Sequence, residues 1–197
     1  IKCLIGLEIP DSGTIEIMSQ KLEHLSLKAL DKIRADIGFL FQGSALYDSM
    51  TVRENLEFPL RRHISKFGNV KDTLPLVEEA LQNVGLKNVI DLMPNELSGG
   101  MKRRVALART LILKPKIIIY DEPTTGLDPI TSKEIILLMK SVQEKYKTSS
   151  IIITHDVDCA RVIANRMILL IDGKNYAEGT FAELSTSQDP KVKAFFK

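Results

Sequence analysis

The sequence contains no tryptophan, only two cysteines and almost no excess charge. Its 197 residues include 27 lysines and arginines against 25 aspartates and glutamates, a formal net charge of +2. So small an excess gives no electrostatic basis for nucleic acid as a partner or for an anionic membrane surface. Cys3 and Cys159 match no metal-ligand spacing, so we expect two reduced, packed thiols of a cytosolic protein.

Long hydrophobic runs are also lacking. No run approaches the roughly 18 residues that a membrane-spanning helix requires, and no signal peptide is visible. The apolar fraction of 44% and the charged fraction of 26% are ordinary for a globular protein. A chain of this length is expected to form one compact domain, or one domain with a subdomain.

The segment Ile117–Pro123 (IIIYDEP) is the most informative stretch. Its apolar residues are typical of a strand buried on both faces of a parallel sheet. Pro123 cannot continue a central strand, so Asp121 and Glu122 are predicted at its carboxyl end, where ligands bind in open α/β sheets. Adjacent strand residues point in opposite directions, so one carboxylate can serve a metal and the other a nucleophile. A polar strand end that caps the next helix is the alternative reading.

Two further apolar runs end in polar residues. Ile37–Phe41 leads to Gln42, and Ser150–Thr154 leads to His155. If these strands and the acidic strand share one parallel sheet, Gln42, Asp121, Glu122 and His155 all fall at the same edge. Packing alone rarely produces such a convergence, although Gln42 or His155 taken singly has an ordinary structural explanation.

Segments with helical periodicity alternate with these runs, which predicts a three-layer α/β domain with a largely parallel sheet. Thr51 and Glu54 have the capping-box spacing of a helix start. We predict the later turns of a helix at Ile1–Leu7, an exposed loop at 61–72 and a hairpin at 167–177. The tail is predicted to form short helices broken at its proline.

Ser98, Gly99 and Gly100 are predicted to open a helix. Glycines allow backbone N–H groups to approach a ligand, and a helix N-terminus carries partial positive charge, so this turn is a candidate phosphate site. An ordinary helix entry is the alternative reading. Arg103, on the same helix, is expected with Arg104 and Arg109 on a solvated face or in intersubunit contacts.

The ordered set of motifs resembles the nucleotide-binding subunit of ATP-binding cassette (ABC) transporters over essentially the whole chain. The motifs are Gln42, LSGGM at 97–101, IIIYDEP at 117–123, GLDP at 126–129 and ITHD at 153–156. The resemblance implies a P-loop NTPase (RecA-like) core with an inserted helical subdomain. The implied division is 1–42 and 114–180 for the core sheet, 43–113 for the helical subdomain and 181–197 for the tail.

The resemblance implies ATP and Mg²⁺ as cofactors and assigns roles around them. Asp121 is expected to hold magnesium mostly through water, and Glu122 to be the general base. Gln42 is expected to meet the magnesium and the nucleophilic water, and His155 to contact the γ-phosphate. These roles fit phosphoryl transfer, in which catalysis is mostly positioning and charge stabilisation.

The resemblance also implies a homodimer of ATPase subunits. Ser98, Gly99 and Gly100 are expected to contact the γ-phosphate bound by the opposite subunit, and Asp128 to lie at the dimer interface. Met101 and the closing segment 189–196 (DPKVKAFF) are similar to the ATPases of bacterial Mla-type phospholipid transport systems. That branch implies an integral membrane permease, an MCE-domain lipid-binding protein and a place on the cytoplasmic face of the inner membrane.

Other classes remain open on the sequence alone. An ABC ATPase for amino acids or lipoproteins would share most of the motifs. A soluble ABC protein of translation or DNA repair is disfavoured, because the short section 43–113 leaves no room for a long coiled-coil insertion. A degenerate, non-hydrolysing cassette is disfavoured because Glu122 and His155 are both present.

The sequence departs from the family in one respect, since no glycine-rich loop ending in Gly-Lys-Ser/Thr occurs in it. In the family this loop runs into a helix that ends much like Ile1–Leu7. We therefore expect that these residues belong to a longer protein. As written, the chain should bind ATP poorly and hydrolyse it negligibly.

Nucleotide titration tests this expectation. ATP should bind this chain much more weakly than a version extended upstream through a phosphate loop, because the loop's N–H groups and lysine provide most of the phosphate contacts. Comparable dissociation constants for the two proteins would contradict it.

Overall fold

The computed structural model describes residues 1–63, 66 and 72–196. Its strands are β1 (Glu16–Ile17), β2 (Gln20–Lys21), β3 (Ile37–Leu40), β4 (Ile117–Asp121), β5 (Ser149–Ile153), β6 (Met167–Ile171) and β7 (Lys174–Gly179). Its α-helices are α1 (Leu27–Arg34), α2 (Val52–Arg62), α3 (Leu74–Asn83), α4 (Gly99–Leu111), α5 (Pro129–Tyr146), α6 (Val157–Ile163), α7 (Phe181–Ser185) and α8 (Pro190–Ala194). Short 3-10 helices occupy Leu22–His24 and Pro94–Glu96.

The central sheet has three parallel strands in the order β3–β4–β5. Leu40 of β3 pairs with Tyr120 of the middle strand, and Asp121 pairs with Ile153 of β5. Because the three strands run in the same direction, their carboxyl ends meet at one edge of the sheet. The predictions of a largely parallel sheet and of an α/β fold are confirmed.

Both faces of this sheet are covered, because alternate residues of β4 enter different cores. Ile118 and Tyr120 belong to a large hydrophobic core that also contains residues of α2, α3, α4 and α5. Ile119 packs on the opposite face against Ile33 of α1. The result is the expected three-layer arrangement. The helices of 43–113 share the large core with the sheet, and the division of the chain into core and helical subdomain stays a prediction.

The segment between β3 and α2 is held by one buried amide, that of Asn55. Its side chain donates to the carbonyl oxygens of Tyr47, Met50 and Thr51 at 3.0–3.1 Å and accepts from the Tyr47 N–H at 2.8 Å. The predicted capping box at Thr51 and Glu54 is present, with both reciprocal bonds formed. These bonds fix the start of α2 and the loop that precedes it.

Helix α4 lies across β3 and is bonded to it through two side chains. Arg103 Nη1 donates to the Phe41 carbonyl oxygen at 2.8 Å, and the Thr110 hydroxyl lies between the Phe39 carbonyl oxygen at 3.2 Å and the Ala106 carbonyl oxygen of its own helix at 2.9 Å. Both carbonyl groups lie on the segment that leads to Gln42. The position of α4 therefore determines the position of this strand end.

The predictions for 1–7 and 61–72 have different outcomes. Ile1–Leu7 forms consecutive turns that end as a helix does, in agreement with the prediction: the Leu7 N–H donates to the Lys2 carbonyl oxygen at 2.9 Å, the Gly6 N–H donates to the Cys3 carbonyl oxygen at 3.0 Å, and Gly6 adopts φ +65°. Most of the predicted loop at 61–72 lies outside the described residues, and its first two residues extend α2.

The last part of the chain forms its own small core. Strands β6 and β7 pair with each other as the predicted hairpin. Leu169 packs with Leu184 of α7 and Val192 of α8 in a hydrophobic cluster separate from those on the sheet. Pro190 is the first residue of α8, behind an Asp189 cap, so the predicted break at this proline is confirmed.

Cys3 and Cys159 are free thiols. Among the described residues, no helix is long and apolar enough to cross a membrane.

Gly38 of β3 lies where α4 approaches the strand closely. A Cβ at this residue would lie 2.5 Å from Thr110 Cγ2. We expect Gly38→Ala to lower the free energy of unfolding by about 1–3 kcal/mol, the usual cost of overpacking. Urea unfolding measures this change.

Two variants serve as matched controls. Gly43→Ala adds a methyl group with nothing within 4 Å, and it should change stability by less than about 0.5 kcal/mol. Thr110→Ser removes the opposing methyl group and keeps the hydroxyl, so it should recover stability when combined with Gly38→Ala. Additive effects of the two substitutions would show that the contact is not the cause.

Candidate functional site at the carboxyl edge of the sheet

The structure places three of the predicted site residues just beyond the three parallel strands. Gln42 is exposed and lies two residues after Leu40, Glu122 directly follows β4, and His155 lies two residues after Ile153. The Glu122 N–H donates to the Ile153 carbonyl oxygen at 2.9 Å, which joins the ends of β4 and β5. The segments that carry these residues therefore leave the sheet at the same edge.

Glu122 is the centre of a small polar cluster. Its Oε2 accepts a hydrogen bond from Thr125 Oγ1 at 3.0 Å and lies 2.9 Å from His155 Nδ1. No described side chain donates to its other oxygen, Oε1, which can therefore accept from a water molecule or a ligand. Glu122 has φ +47°, a left-handed conformation that is uncommon outside glycine and is found at functional sites. The carboxylate is thus held by two partners on a backbone that turns sharply out of the strand.

The contact with Glu122 favours the protonated form of His155. The hydrogen bond to the carboxylate and its negative charge raise the pKa of the imidazole above its usual value. The His155 side chain is 77% exposed and that of Glu122 only 20% exposed. The contribution of this pair to stability is present below the pKa of an unfolded histidine, about 6.5, and is lost as the pH rises through the raised pKa.

Asp121 is the half-buried last residue of β4. Among the described residues, no group of three or more histidine, cysteine, aspartate or glutamate side chains is arranged to hold a metal ion. Magnesium is commonly held by one or two carboxylates together with waters and substrate phosphates. The oxygen donors of Asp121 and Gln42 therefore suit magnesium in their chemistry, and their roles as metal ligands stay predictions.

The Ser98 turn opens a long helix, as predicted. Ser98 Oγ accepts from the Met101 N–H at 3.2 Å and caps the 13-residue α4. Ser98 and Gly99 are exposed. Exposed N–H groups at such a helix start are suited to an anionic ligand.

Gly100 and Asp128 are linked by Thr131 of α5. A Cβ on Gly100 would lie 2.7 Å from Thr131 Cγ2, so the close approach of the two helix starts requires glycine. The Thr131 hydroxyl donates to Asp128, which caps α5, and this hydrogen bond lowers the pKa of the Asp128 carboxyl group. The Ser98 turn and Asp128 thus form a second group of predicted residues, next to each other in one chain.

The arginines of α4 were expected on a solvated face or in intersubunit contacts. The solvated face is wrong, because all three side chains bond within the chain. Arg103 is only 4% exposed and bonds to the carbonyl groups of Phe41 and Thr125. Arg104 donates to the Val84 carbonyl group and pairs with Glu134.

Arg109 also bonds within the chain, with a hydrogen bond from Nη2 to the Ser44 carbonyl oxygen at 3.1 Å. Our sequence analysis missed Arg103 and Thr125 as neighbours of the site. The signal for Arg103 was its position four and eight residues before the buried Leu107 and Leu111, on the same stripe of the helix.

A three-stranded parallel sheet covered by helices on both faces, with polar residues beyond its carboxyl edge, defines an α/β fold of the nucleotide-binding kind. The ABC transporter family matches residues 1–125 of the chain. The chain belongs to this family.

Particular relatives come from several transport systems. The chain is 39% identical over 197 residues to the intermembrane phospholipid transport system ATP-binding protein MlaF of Haemophilus influenzae, covering 100% of this chain and 74% of that protein. It is 38% identical to the methionine import ATP-binding protein MetN of Clostridium tetani, covering 98% of this chain and 60% of that protein. It is also 38% identical to the probable ribonucleotide transport ATP-binding protein mkl of Mycobacterium leprae, covering 99% of this chain and 56% of that protein. The chain therefore spans between about half and three quarters of these relatives.

Solved structures of the family have the same fold. The ATP-binding cassette MJ0796, in a dimeric post-hydrolysis state bound to ADP and Pi, gives a TM-score of 0.80 at 34% identity and covers 91% of this chain and 78% of that chain. The structure of cbiO1 from Clostridium perfringens, part of the ABC transporter complex cbiONQ, also gives a TM-score of 0.80, at 28% identity. It covers 98% of this chain and 76% of that chain. The expected P-loop NTPase fold of the ABC type is confirmed.

The contact between Glu122 and His155 can be measured in solution. Glu122→Gln removes the negative charge and keeps the shape of the side chain, so the pKa of His155 should fall toward its usual value. An NMR titration of the imidazole signals measures this shift. Glu134→Gln, which alters a carboxylate paired with Arg104, is the matched control and should leave His155 unchanged. Equal pKa values in the wild type and in Glu122→Gln would show that the contact is absent in solution.

Proposed function

We propose that this chain is the ATP-hydrolysing part of an ABC transporter subunit that energises phospholipid transport between bacterial membranes. The observation that carries the proposal is the Glu122 carboxylate, held by Thr125 and His155 at the carboxyl edge of the sheet with Oε1 available to a water. A fixed carboxylate with one free oxygen is suited to orient and polarise an attacking water.

The other residues of the edge act on the nucleotide. Gln42 contacts the nucleophilic water, and His155 contacts the γ-phosphate. The raised pKa of His155 favours the positively charged imidazolium, which attracts the negative phosphate. Asp121 and Gln42 would hold Mg²⁺, which would supply positive charge toward the phosphates of the nucleotide. The protein residues thus position the water and the phosphates without forming a covalent bond to them.

The second group of residues acts across a homodimer. Ser98, Gly99 and Gly100 contact the γ-phosphate bound by the opposite subunit, and Asp128 lies at the interface. The exposure of Ser98 and Gly99 at the start of α4 supports this role. The similarity to MJ0796, whose structure is dimeric, supports the assembly.

Phospholipid is the cargo that the sequence favours, and methionine import is the second candidate. The relative from a phospholipid transport system matches the whole chain at 39% identity, and the Met101 signature and the closing segment 189–196 agree with that branch. MetN, at 38% identity, supports the second candidate. A soluble ABC protein outside transport has no comparable support among these relatives.

The proposed partners follow from the cargo. The segment 43–60 would line the groove that receives the coupling helix of an integral permease, and an MCE-domain lipid-binding protein would complete the complex. The ATPase would then lie peripherally on the cytoplasmic face of the inner membrane, and the tail 181–197 would contact the partner subunit.

Glu122→Gln tests the proposed chemistry in the chain extended upstream through a phosphate loop, the version expected above and called the parent protein below. Loss of the general base should lower ATP turnover by about 10²–10⁴-fold. ATP binding should persist, so the variant should accumulate as an ATP-bound dimer in size-exclusion chromatography. Glu78→Gln, at an exposed position on α3, is the control and should hydrolyse ATP like the wild type. Wild-type turnover in Glu122→Gln would refute the role of Glu122 as base.

Purification of the parent protein from membranes tests the cargo. A phospholipid transporter should co-purify with a permease, an MCE-domain protein and bound phospholipid, identified by mass spectrometry. Recovery with a methionine-binding protein and no lipid would decide for the second candidate.

A further inference from the structure

Arg103 is a buried cation without a described carboxylate partner. Its guanidinium group donates to two neutral carbonyl oxygens, from Nη1 to Phe41 at 2.8 Å and from Nη2 to Thr125 at 3.3 Å. Burial of a charge between neutral groups is costly, and it lowers the pKa of this guanidinium group. The Nε atom is buried and has no hydrogen-bond partner among the described residues, which adds to the cost. An apolar side chain of similar length would fill the space at lower cost.

The two carbonyl groups belong to two backbone segments of the proposed site, 41–42 beyond β3 and 122–125 beyond β4. We call these segments the two arms of the site. Phe41 directly precedes Gln42, so one bond holds the backbone at the end of β3. Thr125 donates its hydroxyl to Glu122 Oε2 at 3.0 Å, so the other bond holds the residue that orients the carboxylate. One planar guanidinium group therefore connects both arms, and its rigid fork fixes the distance between them.

We propose that Arg103 is a positioning residue for ATP hydrolysis, because it joins the backbone next to Gln42 to the Thr125 residue that holds Glu122. This inference rests on the proposed function. Arg103 lies four residues after Gly99 on α4, so the same side chain also ties the start of this helix to both arms. A displacement of α4 would move the water-orienting groups with it.

Backbone hydrogen exchange tests the geometric part on this chain, without nucleotide. Arg103→Met keeps the length and removes the donors, and Arg103→Lys keeps the charge but lacks the fork that spans two carbonyl groups. Both should accelerate exchange by about tenfold or more in segments 41–45 and 122–127, measured by mass spectrometry. The amides of β4 should exchange as in the wild type.

Arg104→Met is the matched control on the same helix. Its partners are the Val84 carbonyl group and Glu134, so its loss should leave both segments unchanged. Unchanged exchange in the Arg103 variants would overturn the proposal. Faster exchange across the whole sheet in both Arg103 variants would also overturn it, since it would show that Arg103 only stabilises the fold.

Kinetics of the parent protein test the catalytic part. A displacement of about 1 Å can cost about 10²-fold in rate, so Arg103→Met and Arg103→Lys should lower kcat by about 10–100-fold. The KM for ATP should stay within about twofold, at a temperature at which all variants are folded. Thr125→Val should lower kcat similarly, and combining it with Arg103→Met should cost little more, because both act through Glu122.

The outcomes separate the two proposals. A wild-type parent that does not hydrolyse ATP would refute the proposed function, while the exchange result would still report on the Arg103 bridge. A wild-type parent that hydrolyses ATP, with unchanged kcat in both Arg103 variants, would refute the positioning role alone.

Discussion

The hydrogen bonds from α4 to the backbone of β3 and the segment beyond it are the constraint on which the rest of the site depends. Thr110 and Arg103 reach carbonyl groups two residues apart on that segment, and Gly38 allows the helix to come close enough for both. Because Ser98 caps the same helix, these contacts also set the position of the candidate phosphate turn relative to the sheet. The distance between the residues at the carboxyl edge of the sheet and the Ser98 turn therefore depends on the contact between α4 and β3.

Polar interactions around the site differ in their exposure to water. His155 and Ser98 are exposed, and a ligand can reach both without a rearrangement of the core. Buried residues support the segments that carry them. Arg103 bonds to the Thr125 carbonyl group, and Thr124 donates to Asp156, the cap of α6. Exposed contacts at the surface are thus supported by buried ones beneath, which is the arrangement that precise positioning requires.

The sequence was sufficient for the elements whose local chemistry agrees with their environment. The run at β4 reads as a strand because it is buried on both faces, and Thr51 with Glu54 predicts a helix start because both partners are local. The helix end at Ile1–Leu7 is also local, because Gly6 supplies the left-handed residue at which a helix commonly stops. Arg103 and Thr125 were missed, because their importance lies in backbone carbonyl groups that only the fold brings within reach.

The separate hydrophobic cluster of the β6–β7 hairpin, α7 and α8 has a thermodynamic consequence. A segment that buries its own apolar residues, without adding to the large core, is able to open as an independent cooperative unit. Its free energy of opening then sets how readily the last thirty residues detach while the nucleotide edge keeps its shape. Anything that binds those residues would gain or lose affinity through that local equilibrium and leave the sheet unaffected.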